Sequence, residues 1–363
     1  MKKIFIILLL SVILGACNNK KSTSIVESFK IKQLLTHKVF EVQNGANELM
    51  DPYNLVVVGN SVTLLNVRAP KIFTTVDIST GRVIKQWGTK GQGPNEFLAV
   101  RDIYNNYLEL GLNIWDISKT KLYFCSDSNL ESDSVYFQNI PVNVEDRNTM
   151  NFYDSVVQLD TFIFFAVGGN SDKLFTLFNT KNNEVKEIGD FPSEDTNSHI
   201  SSVLRKFAYN GRIRYNSSLK KIVYVSIYSE MFEIYNFDGA DVELAKGNYS
   251  TIPLYKEIFR GDGARTVATS ILNGKGKNYW VTISNENIFI LYQDYKRSGV
   301  AQETDTNKPA DMVLVFDWNG KPVKIYELDC LINSIDYDKT RNRLWATRYN
   351  EVTLDPEIVY FEL

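Results

Sequence analysis

Two kinds of feature in this chain could do chemistry: a glycine-rich loop, and a scatter of arginines and aspartates on short apolar runs. The loop reads WGTKGQGPNEF over residues 87–97. Glycines just after a strand can cradle a phosphate with backbone N–H groups, but a cradle needs a helix to follow it. A P-loop also needs Lys and then Ser or Thr after its last glycine. Here Pro94 follows Gly93, and FLAVRDIYNNYLEL then alternates as strands do. The loop therefore reads as a corner between two strands, where glycine takes conformations closed to other residues. Glu96 is placed to bond the loop backbone and Phe97 to pack between neighbouring structural units.

The polar candidates are Arg101 and Asp102 in AVRDIY, Asp154 in FYDSVV, Arg205 in VLRKF and Asp336 in SIDYD. Carboxylates and arginines converging on one place would hold a polar ligand or a cation. The alternative is that they pair with each other and with water. Other chemistry is thin. Only His37 and His199 are present, so a multi-histidine metal site is unavailable. DSNLESD at residues 127–133 mimics the spacing of a calcium loop, yet it lacks the central glycine, and Gln138 stands where the loop's last glutamate belongs. No Gly-x-Ser-x-Gly elbow occurs. The chain calls for no cofactor.

The elements that must position these residues are strands. Aromatics make up 13% of the chain, nearly all Phe and Tyr, and no helical periodicity is sustained. A repeat runs through FTTVDISTGRV, FTLFNTKNNEV, FEIYNFDGADV and VLVFDWNGKPV. In each, a strand ends in Asp or Asn, a turn follows, and a valine opens the next strand. Asp77 and Val83, Asn179 and Val185, Asn236 and Val242, and Asp317 and Val323 are all six residues apart. A fifth copy runs from Asp127 to Val135 with a longer tip. Asp and Asn suit the place because their side chains bond the turn backbone. Each unit is a hairpin with two further strands upstream, and four antiparallel strands recurring at about 50 residues is the pattern of β-propeller blades.

The last unit supplies only three strands, LINSIDYD, RLWATRY and EIVYFEL, which would leave an unpaired edge. THKVFEV at residues 36–42 is a spare strand and is expected to close the ring beside IVYFEL. The fold expected is an all-β, six-bladed propeller of four-stranded antiparallel blades, closed by an N-terminal strand. Arg101, Asp102, Asp154, Arg205 and Asp336 then fall on innermost strands, lining a central channel.

With Gly91, Gly93, Pro94, Glu96 and Phe97 in the order Gly-x-Gly-Pro-x-Glu-Phe, the chain resembles the TolB-like and NHL-like six-bladed propellers. Within them it is similar to a group of propeller lipoproteins of Gram-negative envelopes. The resemblance implies fold and location more than activity, because most such proteins have no assigned reaction.

The N-terminus agrees. MKKIFIILLLSVILGAC has two lysines, an apolar run too short to span a membrane, and small residues ahead of Cys17. Leu14, Gly15, Ala16 and Cys17 resemble a lipobox, which implies cleavage after residue 16 and acylation of Cys17. Residues 1–16 are thus expected to be a signal peptide, 17–28 a lipidated tether and 29–363 the propeller. No aspartate follows Cys17 and no acidic cluster lies in Asn18, Asn19, Lys20 and Lys21. By the sorting habits of Gram-negative lipoproteins, the expected location is the outer membrane facing the periplasm, with the cell surface as the alternative. Loss of Lys2 and Lys3 leaves a net charge of about −5, which argues against nucleic acid as a partner. Cys125 and Cys330 read as buried apolar residues rather than a disulfide framework. The function expected is non-catalytic binding of a peptide, glycan or partner protein. The alternative is a lyase or hydrolase that uses the channel carboxylates, with or without a divalent cation.

Overall fold

The computed structural model describes residues 24–43, 49–93, 96–105, 108, 110–126, 136–139, 153–169, 172–261, 263–270, 276–294 and 310–363. Cys17, the calcium-like tip and the turn of the fifth repeat copy lie outside them. Six sheets form a ring. Their inner strands, blade by blade, are Asn54–Val58, Val100–Asn105, Tyr153–Gln158, Gly211–Asn216, Lys277–Ile283 and Ser334–Asp338. Each begins a run of antiparallel strands leading outward, and each touches the next around the circle, the sixth returning to the first.

Burial explains why the strands look as they do in sequence. The first two strands of a blade are covered on both faces by neighbouring blades, so Asn54–Val58 and Ile163–Gly168 are buried at every position and read as continuous apolar runs. The outermost strands Glu184–Ile188 and Val242–Asn248 are mostly exposed and charged, which guards an open sheet edge. Aromatic rings fill the seams between blades. Phe175 of blade 3 packs edge-on against Tyr224 of blade 4 at 4.9 Å. Each such ring, fully buried, contributes about 1.5–3 kcal/mol. Cys125 and Cys330 are both buried, and neither forms a disulfide among the described residues.

The repeated turns work as their sequence requires. Asp77 Oδ1 accepts from Ser79 Oγ, Thr80 N and Thr80 Oγ1 at 2.6–2.7 Å, and these bonds lower its pKa to about 2. Asn179 and Asp317 accept from their own turns in the same way. Blade 4 differs from the sequence register. There Asp238, not Asn236, accepts from Ala240 N and Asp241 N, because the strand runs on to Phe237 before turning.

Lys38–Phe40 pairs antiparallel with Pro356–Glu362, matching Val39 to Val359, and supplies the missing outer strand of blade 6. The N-terminal segment does more than this. Lys32–Leu35 adds a parallel fifth strand to blade 5 along Pro322–Ile332. Ahead of it, the 3-10 turn Ile25–Ser28 and Phe29 bury apolar side chains with Phe232, Phe316 and Trp318. Ser24 Oγ and Ile25 N both donate to Glu230. Beyond it, Gln43 N donates to Gly81 O in the blade 1 turn at 2.8 Å. The segment is a belt running along the rim from the blade 4–5 seam to blade 1. Residues 25–28 therefore belong to the packed body rather than to a tether.

Two elements depart from an all-strand reading. Residues 202–208 form the helix Ser202–Ala208, and a two-stranded hairpin, Leu254–Phe259 with Arg265–Ser270, which follows blade 4 in the chain, packs against it.

Candidate functional site

Because every inner strand starts on the same face of the ring, the first residues of the six strands surround one mouth of the channel. Three of these strands carry a β-bulge at that level. The pairing skips Arg101 in blade 2, Asp154 in blade 3 and Tyr279 in blade 5. A bulge re-aims the side chain it carries, and Arg101 and Asp154 meet as a result. Arg101 Nε donates to Asp154 Oδ1 at 2.8 Å, and Gly211 N donates to Asp154 Oδ2 at 3.0 Å. The negative charge of Asp154 drives the Arg101 pKa further up.

At the next level inward, Asp102 is completely buried and meets two arginines from across the ring. Arg214 Nη1 donates to its Oδ2 at 2.9 Å, Arg214 Nη2 to its Oδ1 at 3.3 Å, and Arg212 Nη1 lies 3.2 Å from Oδ1. Burial alone would push the Asp102 carboxyl up, but Arg214 and Arg212 outweigh it and hold it below the usual range. Arg212 also stacks 3.4 Å over Trp280 and donates from Nη2 to Tyr53 Oη at 3.3 Å. This cluster joins blades 1, 2, 4 and 5 and fills the channel.

Deeper still, Asp336 accepts from Val57 N at 2.8 Å, Asn105 Nδ2 at 3.0 Å and Thr282 Oγ1 at 2.7 Å. Its donors are nearly all neutral, so burial dominates and raises its pKa to about 6.

Four of the five residues singled out in the sequence thus lie in the channel, but the three carboxylates do not converge. Each is satisfied separately. Among the described residues, the one group of His, Cys, Asp and Glu whose ligand atoms all lie within 4.8 Å is His37, Asp329 and Cys330, where the belt passes the outer strand of blade 5. There His37 Nδ1 is 2.9 Å from Asp329, while Nε2 faces Arg348 at 3.4 Å, so the imidazole serves as a strap between blades 5 and 6.

Arg205 is not on an inner strand. It stands on the helix, because SVLRKFA places Val203, Leu204, Phe207 and Ala208 at helical spacing. Its guanidinium pairs with Asp195 at 2.9 Å, where Tyr255 and Tyr209 also donate. Beside it lies a separate rim cleft of ≈480 Å3, lined among others by His199, Ser201, Leu204 and Arg265. The inner strand of blade 4 instead supplies Arg212 and Arg214, whose signal was the alternating GRIRYN.

The glycine loop ends at the same mouth. Gly93 N donates to Glu96 Oε2 at 2.7 Å, so the loop's own carboxylate occupies the donor that a phosphate would need. A Cβ at Gly91 would fall 2.0 Å from that same oxygen. Lys119 Nζ ties down the carbonyls of Gly93 and Glu96, and Phe97 packs between Phe73 and Tyr123 in the seam of blades 1 and 2.

A family model described as TolB-like 6-blade propeller-like matches residues 27–340. The chain belongs to that family. Among solved structures, this TolB-like propeller is similar to a member of the DUF4221 family from Bacteroides vulgatus, with a TM-score of 0.57 and 10% identity over 91% of this chain and 96% of that one. It also aligns with an exported protein from Bacteroides fragilis at a TM-score of 0.49 and 10% identity, over 93% of this chain and 96% of the other. An auxiliary nutrient binding protein from Bacteroides thetaiotaomicron aligns at 0.48 and 9%, over 91% and 77%. No curated protein matches the chain.

Proposed function

We propose that this propeller is an outer-membrane lipoprotein, anchored through Cys17 and facing the periplasm, that binds a peptide, glycan or partner protein at its channel mouth without transforming it. The observation carrying this reading is that Asp102, Asp154 and Asp336, the channel carboxylates described above, each accept from the protein's own donors. A lyase or hydrolase would need at least one of Asp102, Asp154 and Asp336 to exchange these partners for a proton or a cation. A plugged channel with loops gathered around its mouth is instead a rigid platform for recognition. The lipobox-like residues before Cys17 support the anchor, and the Gly91 to Phe97 loop supports a place among the envelope propeller lipoproteins.

The test is capture. Mature protein immobilised through residue 17, incubated with envelope extract and washed, should retain a defined partner or glycan that an unrelated propeller does not. Retention of nothing specific, together with turnover of an envelope polymer, would favour the enzyme.

A further inference from the structure

The channel mouth is chemically lopsided. In its outer tier Asp154 pairs with Arg101, and in the tier below Asp102 meets both Arg212 and Arg214, so arginines outnumber carboxylates across the two tiers. Asp154 engages Arg101 through Nε alone, which leaves Nη1 and Nη2 with no partner among the described residues. That side chain is 32% exposed, whereas Arg214 below it is 3% exposed. The free end of Arg101 is therefore a planar fork presented at the entrance and held from behind.

Two half-buried tyrosines, Tyr53 and Tyr228, lie within electrostatic reach of it. Tyr53 accepts from Arg212, which leaves its hydroxyl hydrogen to donate outward. Tyr228, in the turn after the second strand of blade 4, has a hydroxyl without a partner among the described residues and lies within electrostatic reach of Arg101 and Asp154. Tyr279 sits at the third bulge. Below them the Arg212, Asp102 and Arg214 cluster closes the channel, so a ligand stops at this tier.

We propose that the mouth is a carboxylate site for an acidic sugar: Arg101 takes the carboxylate through both Nη atoms, Tyr53 and Tyr228 donate to it or to neighbouring hydroxyls, and the tyrosine rings flank the sugar body. A guanidinium fork matches a carboxylate in a way a lysine cannot. Aromatic rings with a polar tip suit a body that has both apolar faces and hydroxyls. The inference rests on the binding role proposed above and narrows its ligand.

The test is calorimetric titration of the full mature chain with digalacturonate, with its dimethyl ester, and with a tripeptide ending in glutamate. Digalacturonate is expected to bind with a Kd of about 1 mM or tighter, and the ester about tenfold more weakly, the loss of one charge-assisted pair. Arg101→Gln should weaken the acid about tenfold or more, and Arg101→Lys should recover only part of that. Tyr228→Phe, which leaves the Arg101 and Asp154 pair intact, should weaken it severalfold, while Lys186→Gln on an outer strand should not. No binding by about 10 mM, equal binding of acid and ester, or binding of the peptide alone would each overturn the proposal. Capture of an envelope partner equally by wild type and by Tyr228→Phe, with no acid binding, would leave the binding role standing and remove only this site.

Discussion

Asp336 and Asp102 lie at different depths of one channel and titrate in opposite directions, for reasons visible in their partners. Asp102 faces two guanidinium groups, so its pKa is depressed, and its contribution to stability is lost only when pH falls through that lowered value. Asp336 faces mainly neutral donors, and its pKa is raised from 3.8 to about 6. Between these two values the folded protein holds a proton that the unfolded chain has released. Its contribution is therefore fully present below the unfolded pKa and is lost as pH rises through about 6. Denaturant unfolding at pH 4.5 and pH 7 should show a loss of about 2 kcal/mol from this group on going to neutral pH, the part of the shift that falls between those two values. Asp336→Asn should shrink the difference between the two pH values by about that amount. An unchanged difference would mean that Asp336 is ionised throughout. At this scale the sequence was only partly legible. Arg101, Asp102, Asp154 and Asp336 were found because they open strand units, whereas Arg205 misled because a seven-residue helix is too short to show its period. What could not be read was the set of bulges that turns Arg101 toward Asp154, and the reach of Arg212 and Arg214 across the ring to a blade more than 100 residues earlier.

The N-terminal belt shows the same division among elements. The closing strand was legible because blade 6 lacked a partner and residues 36–42 had none either. The pairing of Lys32–Leu35 with blade 5 was not, because only Leu35 of the four is buried and nothing in KQLL marks a strand. Nor was the docking of Ile25 and Phe29, since the polar residues ahead of them hide their role. Together these pieces cover the outer edges of two blades and bury Ile25, Phe29 and Leu35. Deleting residues 29–42 removes two of those side chains, worth about 1.5–3 kcal/mol each, and reopens both edges. The melting temperature should fall by at least about 4 °C, taking about 1.4 °C per kcal/mol for a domain of this size. A melt unchanged by the deletion would show that the ring closes without the belt.

For the whole molecule, the propeller was legible because its repeat carries a turn with a physical requirement: Asp77, Asn179 and Asp317 bond their own turns as expected, and even the shift to Asp238 leaves the blade intact. Function was less legible, because it depends on which polar groups remain unpaired once the ring has closed, and pairing across a ring is invisible in a linear chain. The anchor is a separate claim with its own check. Cys17→Ser should move the protein from the membrane fraction to the soluble periplasmic fraction, and its persistence in the membrane would refute lipidation at that residue. Recognition at the channel mouth is the central claim. A photo-reactive residue in place of Tyr228 puts it to the most direct test, with the same residue in place of Val185 on the exposed outer strand of blade 3 as the comparison. Illuminated in envelope extract, the Tyr228 position should give a discrete adduct and the Val185 position none. An adduct from Val185 alone, or from neither position, would contradict it.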